Sequence, residues 1–307
     1  MEILLQQVIN GVVQGSVYAL VALGYTMVYG ILGLINFAYG EVVMVGAMLA
    51  LSVLTALIGA GVPPFLSLLL SCVLAMAGCM ALGYTIERVA YRPLRHAPRL
   101  APLITAIGVS IFLQNFAMMI WGREYHSFPQ LIANTPHNVA GAIISNIQVI
   151  IFVLAVLIMS GLMAIVHRTR LGRAMRAVAE NQHAAQLMGV NVDRVISITF
   201  MLGSALAAIA GVMVSANYGI AHYYMGFLLG LKAFTAAVLG GIGNLRGAML
   251  GGLLLGLIES LGAGYIGDLT GGIFGSNYQD VFAFFVLIAV LIFRPSGLLG
   301  ERLAERA

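Results

Sequence analysis
Long apolar runs, separated by short polar stretches, set the rhythm of this chain. A helix needs about 20 apolar residues to cross the roughly 30 Å hydrocarbon layer of a bilayer. Candidate spans fall near residues 8–29, 42–60, 65–86, 101–121, 147–167, 195–217, 228–242, 247–266 and 280–293. The seventh and ninth are short, so they are expected to be tilted, broken or re-entrant. Unpaired backbone amides cannot face lipid. The expected fold class is therefore all-α, a polytopic transmembrane helical bundle of eight or nine spans, with nine favoured. It is read as a single transmembrane domain over residues 1–307. A hydrophilic segment at 168–194 and a basic C-terminal tail at 294–307 belong to it. Residues 1–30 contain no basic residue, whereas a secretory leader needs positive charge ahead of its apolar stretch. They are read as a retained first span with one polar stripe.

Composition supports the membrane reading and narrows the chemistry. The chain is 61% hydrophobic and 8% charged, and its mean hydropathy is +1.01. Soluble domains run near 45–50% and about 25%. A soluble enzyme, a disordered chain and a disulfide scaffold are excluded together. Cys72 and Cys79 lie two helical turns apart on one face, too far to bridge, and read as small core residues. The sole lysine, Lys232, is followed by Ala233, so no phosphate-cradling P-loop exists. Neither His-Glu-x-x-His nor Cys-x-x-Cys spacing occurs. No catalytic residue, metal site or cofactor is expected in this chain, and no nucleic-acid partner.

Charge gives orientation. Arg88, Arg92, Arg95 and Arg99 fall in residues 87–100; Arg168, Arg170, Arg173, Arg176 and Arg194 in 167–194; Arg294, Arg302 and Arg306 in the tail. These segments carry 12 of the 15 basic residues. Two spans separate the first pair of segments and four separate the second, so all three share one side. The positive-inside rule makes that side cytoplasmic. Nine spans put the N-terminus outside and the C-terminus inside.

Glycine is clustered. "VLGGIGNLRGAMLGGLLLGLIES" (238–260) holds seven of the 37, and Gly252 and Gly256 form a small-xxx-small pair that lets helices approach closely. "ILGLINFAYG" (31–40) and "VLGGIGNLRG" (238–247) match at four of ten positions. Transporters are often built from internal repeats with interrupted helices at corresponding places.

Four polar residues are candidates for the wall of a solute path: Asn36, Glu41, Lys232 and Glu259. A charge at mid-bilayer costs about 2.5–3.5 kcal/mol on insertion scales, so each should face protein or water. A hairpin about 243–246 would bring Lys232 and Glu259 within pairing distance; a structural ion pair is the alternative. Glu41 sits at a helix start, where the positive dipole end suits it. In segment 168–194, Asn181 reads as an N-cap and Gly189 as the residue past a C-terminus. Between them Ala184, Ala185, Leu187 and Met188 give an apolar face two turns long. Two turns are unstable alone in water, so that face needs the bundle or a partner.

Six blocks in order carry a family resemblance: "GYTMVYGILGLINFAYGE" (24–41), "ERVAYRPLR" (87–95), "AIGVSIFLQN" (106–115), "RAMRAVAEN" (173–181), "GLKAFTAAVLGGIGN" (230–244) and "RPSGLLG" (294–300). Together they resemble the permease subunits of bacterial branched-chain amino acid ABC transporters, of the LivH/BraD type. Tyr39 departs from the histidine that many relatives carry there. The resemblance implies an inner-membrane importer with a paralogous permease as heterodimer partner. It implies two ATPase subunits that bind ATP and magnesium, and a periplasmic binding protein that delivers leucine, isoleucine or valine. It also implies that residues 173–189 act as the coupling helix to the ATPases, with Arg173, Arg176, Glu180, Ala184, Ala185, Leu187 and Gly189 at that interface. The alternatives are an ion-coupled secondary amino acid transporter, a channel, or a related permease for urea, amides or a sugar.

Overall fold
A computed structural model describes residues 2–95, 97–98, 100–131, 135–139, 141–269, 278–294 and 296–300. His96, Arg99, Arg302 and Arg306, with most of the basic tail, lie outside the described residues. The chain is helical nearly throughout: α1 (Glu2–Leu32), α2 (Tyr39–Gly59), α3 (Pro64–Ile86), α4 (Leu100–Trp121), α5 (Asn146–Arg168), α6 (Arg170–Glu180), α7 (Gln182–Leu187), α8 (Val192–Tyr218), α9 (Met225–Gly240), α10 (Leu245–Leu269) and α11 (Gln279–Phe293). Seven of these are long and apolar enough to span a bilayer, and α9 and α11 are shorter apolar helices. The nine coincide with the nine apolar runs, and the two short ones are those expected to be short. Two antiparallel pairings interrupt the helices. His126–Ser127 pairs with Ile220–Ala221, and Pro136–Val139 with Ala142–Ser145.

The chain divides into two compact units. Unit 1 comprises Met1–Thr26, Asn134–Met159 and Lys232–Ala307. Its packing is made of glycine. A Cβ on Gly11 would stand 2.8 Å from Leu257 Cα, and one on Gly15 2.8 Å from Leu253 Cα. Gly252 and Gly256 in turn lie on Ala19 and on Gly15 and Gly11. The small-xxx-small pair read in the sequence thus meets its counterpart, Gly11/Gly15, and backbones of α1 and α10 touch. Where lipid tails are as apolar as leucine, such close packing replaces the hydrophobic effect as the force joining helices.

The same unit ends in a fold-back. Leu298 and Leu299 donate their N–H groups to the carbonyls of Leu239 and Gly240 (2.9 and 3.0 Å). The Asn244 amide donates to the Leu299 carbonyl at 2.8 Å. The "RPSGLLG" block thereby satisfies the last carbonyls of α9, which no residue of the helix itself can reach.

Unit 2 comprises Met27–Ala133 and Ser160–Leu231. Its centre is α2, α3 and α8, with Met44, Met48, Leu51, Leu54, Val212 and Phe128 in one core cluster. Gly46 lies on Ala208 and Gly211 on Val43 and Ala47, so α2 and α8 also meet backbone to backbone. Cys79 is buried and Cys72 partly so; both are free thiols, as their spacing predicts.

Candidate functional site
In unit 2, α1 ends at Leu32 and α2 begins at Tyr39, with Gly33 at φ +65°. Asn36 makes the turn: its Oδ1 accepts the Ala38 N–H at 3.1 Å and the Tyr91 hydroxyl at 2.9 Å. The predicted departure residue, Tyr39, is buried and donates its hydroxyl to the Gly203 carbonyl at 2.6 Å. Glu41 is fully buried in the first turn of α2. Its Oε1 accepts from Gln114 Nε2 (2.6 Å) and Ser110 Oγ (3.2 Å). Its Oε2 has no hydrogen-bond partner among the described residues. That oxygen faces Gly226, where a Cβ would stand 2.9 Å away. Gly40 approaches just as closely: its Cβ would fall 2.8 Å from Gly230 Cα. A carboxylate half-satisfied inside an apolar wall is costly.

The hydrophilic segment contains two helices rather than one. Thr169 caps α6, its hydroxyl accepting the Gly172 N–H at 3.1 Å. The chain then breaks at Asn181 (φ −157°, ψ 109°). Asn181 Oδ1 accepts the Ala184 N–H at 2.9 Å and starts α7. Gly189, at φ +83°, ends it; a side chain there would be strained. Both helix signals in the sequence are therefore correct, while the expected continuous 173–189 unit is divided by its own N-cap residue. Ala185 is buried, yet Leu187 and Met188 are 76% and 84% exposed. Two apolar side chains project at the end of α7, the shortest α-helix among the described residues. Arg173, Arg176, Glu180 and Ala184 lie on the exposed sides of the same two helices. Gln182 donates from Nε2 to the Ile31 carbonyl at 2.9 Å, tying α7 to the last turn of α1.

Beside α7, Arg95 contacts both Glu87 and Asp193, Arg92 contacts Asp193, and Ser197 donates to Glu87 at 2.7 Å. This network joins the end of α3 to the start of α8.

In unit 1, Lys232 and Glu259 do meet. Lys232 Nζ lies 2.7 Å from Glu259 Oε1 and 2.6 Å from Asp280 Oδ1. Glu259 Oε2 accepts from the Tyr18 hydroxyl (2.6 Å) and Gln14 Nε2 (3.1 Å). Lys232 and Glu259 are buried, and the Asp280 side chain is 34% exposed. One ammonium is thus held between two carboxylates. With the Tyr18 hydroxyl also 3.3 Å from Nζ, it has no donor left for a substrate carboxylate. Asp280, Tyr18 and Gln14 were not singled out in the sequence. Gln14 and Tyr18 stand four apart on the polar stripe of α1, which is the signal that points to them. Asp280 is the acid that opens the last apolar run.

The family model for branched-chain amino acid transport system / permease component matches residues 7–291. The chain is 48% identical over 307 residues to the high-affinity branched-chain amino acid transport system permease protein BraD of Pseudomonas aeruginosa, covering 98% of this chain and 97% of the relative. It is 45% identical to the permease protein LivH of Escherichia coli over the same shares. The probable LivH of Methanocaldococcus jannaschii is 28% identical, covering 95% and 91%. The nine apolar helices, the glycine-built contacts and a match running nearly end to end agree: the chain belongs to the branched-chain amino acid transport system / permease component family.

Proposed function
We propose that this chain is the membrane-spanning permease subunit of an ATP-driven, high-affinity importer of leucine, isoleucine and valine. Its place is the bacterial inner membrane, with the C-terminus in the cytoplasm. The observation that carries the reading is the end-to-end likeness to permeases named for that transport. Its partners are a related permease, two ATPase subunits that hold ATP and magnesium, and a periplasmic amino acid-binding protein. This chain supplies the passage and no chemistry.

In this reading α7 is the docking helix. A helix of under two turns has no stability of its own, and the exposure of Leu187 and Met188 is what a partner's groove would cover. ATP draws the ATPase subunits together and they press on α7. Gln182 passes the displacement to the end of α1 and so to the break at 33–38. The partner thereby biases a bundle with two arrangements. Arg173, Arg176 and Glu180 on α6 supply polar contacts at the rim. Within the path, Glu41 is the favoured contact for the ammonium group of the passing amino acid. Asn36 shapes the turn beside it. Lys232 and Glu259, each already paired within unit 1, hold that unit rigid. Selectivity for aliphatic side chains then rests on the binding protein.

The test is reconstitution in liposomes. The full set of subunits should accumulate leucine in an ATP-dependent manner, and this chain alone should not. If the isolated chain concentrates an amino acid against its gradient under a sodium or proton gradient, the reading fails in favour of ion-coupled transport.

A further inference from the structure
Unit 2 carries a basic cleft that transport does not use. Past its end α3 runs into one π-turn, Glu87–Tyr91, closed by the Arg92 N–H on the Glu87 carbonyl. Such wide turns re-aim side chains and recur at functional sites. This one turns Arg88 and Arg92 into a common cleft, opposite Asn191, Asp193 and Arg194 at the start of α8. The cleft has a volume of about 320 Å³, the lower end of the small-ligand range. Its deeper wall, farther along both helices, is Tyr84, Ile198 and Met201.

The charges do not balance. Asp193 is gripped by Arg92 and Arg95, and Glu87 by Arg95. Arg88 and Arg194 make no ion pair among the described residues. Three arginines, Arg88, Arg92 and Arg194, therefore line the cleft with one carboxylate, Asp193. The first N–H groups of α8 add their own positive end. Beside the cleft, Tyr84 and Val89 are 40% and 70% exposed. Only 22% of the membrane-crossing stretch of this helix is buried within the chain, which leaves room for an acyl chain along it.

We propose that this cleft holds the phosphate of an anionic phospholipid from the leaflet on the arginine side, with an acyl chain lying along Tyr84, Ile198 and Met201. Guanidinium groups suit phosphate because two N–H donors match two oxygens. Basic pockets between spanning helices are a recurring headgroup site. The apolar deeper wall favours a lipid over a free anion or an acidic protein surface, neither of which needs it. Docking of the ATPases is assigned under the proposed function to α7, where Leu187 and Met188 are exposed.

Native mass spectrometry of the full-length chain with its co-purifying subunits tests this, after incubation with equimolar phosphatidylglycerol and phosphatidylcholine. Phosphatidylglycerol should be retained about tenfold more. The R88Q/R194Q variant should lose that preference. R88K/R194K should keep part of it, and R123Q, beyond the far end of α4, should keep all of it. Millimolar inorganic phosphate should not displace the bound lipid. Displacement by inorganic phosphate would overturn the lipid assignment in favour of a soluble anion. Unchanged preference in R88Q/R194Q would overturn the site. Loss of the ATPase subunits from R88Q/R194Q with the lipid preference intact would overturn it too, and would give these arginines to protein docking. R88K/R194K, which keeps both charges, guards against reading a folding defect as lost binding.

Discussion

Lys232→Met is the most informative single change in unit 1. The ammonium now answers two carboxylates at 2.7 and 2.6 Å. Removing it leaves Glu259, 1% exposed, without a cation. Breaking a buried pair in this way costs about 3–5 kcal/mol, because the orphaned charge stays desolvated. The contact with Asp280 is worth far less. Its Oδ1 is buried against the lysine, but the side chain as a whole is 34% open, so once the lysine is gone it is re-solvated more readily than Glu259, and exposed pairs contribute only about 0.2–1 kcal/mol. Asp280→Asn should therefore be mild. Glu259→Gln should fall between the two, because Tyr18 and Gln14 can still bond the amide and Asp280 still answers the lysine. The decisive protein is the double variant Lys232→Met/Glu259→Gln. It removes both buried charges together, so it should be no less stable than Lys232→Met alone. The coupling should reach about 1–3 kcal/mol. Unfolding titrations with SDS in mixed micelles give the order of the four proteins. Strict additivity of the two single losses would refute the claim that this pair is a desolvated unit.

Other outcomes follow from the same structure. Gly256→Val puts a side chain into the backbone of Gly11 and Gly15 and should cost at least about 1–3 kcal/mol by overpacking. Gly161→Ala, with open space around its Cβ, should be neutral or slightly stabilising; thermal unfolding of the two variants separates them. Leu187→Glu with Met188→Glu should abolish co-purification of the ATPases without lowering the unfolding midpoint, since both side chains are exposed. Ala185→Glu, at a buried position, should lower the midpoint as well. Gln182→Ala should leave the ATPases bound but reduce uptake per ATP hydrolysed, measured together in liposomes; unchanged coupling would remove Gln182 from the route. Tyr39→Phe should cost about 1 kcal/mol through the lost bond to the Gly203 carbonyl.

The bundle was legible because each span advertises itself by length and hydropathy, and short-range signals were legible for the same local reason. Asn181 and Gly189 act on their own backbone, and Gly252/Gly256 shares one helix face. Lys232 and Glu259 could be paired by counting along a hairpin. The partners that come from distant segments could not. Ser110 and Gln114 reach Glu41 across 69 and 73 residues. Nothing in the apolar run that holds them says which neighbour it will have. Asp280 was not singled out, because its link to Lys232 depends on where α11 lies. The π-turn at 87–91 left no trace in the pattern, since its residues are acceptable in an ordinary helix. The division between α6 and α7 was half visible: the cap was read, but not that it also ends the helix before it.

The ends of α1 and α9 show how two similar breaks can differ mechanically. Each break exposes terminal carbonyls that lipid cannot satisfy. Each is turned by an asparagine: Asn36 bonds the Ala38 N–H, and Asn244 bonds the N–H groups of Arg246 and Gly247. Their carbonyl ends are answered differently. At α9 the partners are backbone N–H groups of the 296–300 fold-back, at 2.9 and 3.0 Å, and they belong to the same compact unit. At α1 one partner is a side chain, Gln182 Nε2 on the Ile31 carbonyl, and it stands on a helix six residues long. A backbone pairing can be lost only if the segment unfolds. A side-chain bond worth about 1 kcal/mol can be broken and remade as α7 shifts. The stretches 31–40 and 238–247 thus hold two similar breaks that are finished differently. The fold-back holds the second by backbone bonds, while a side chain of α7 holds the first, and on the proposed docking of α7 a shift of that helix should be felt at the turn before Glu41.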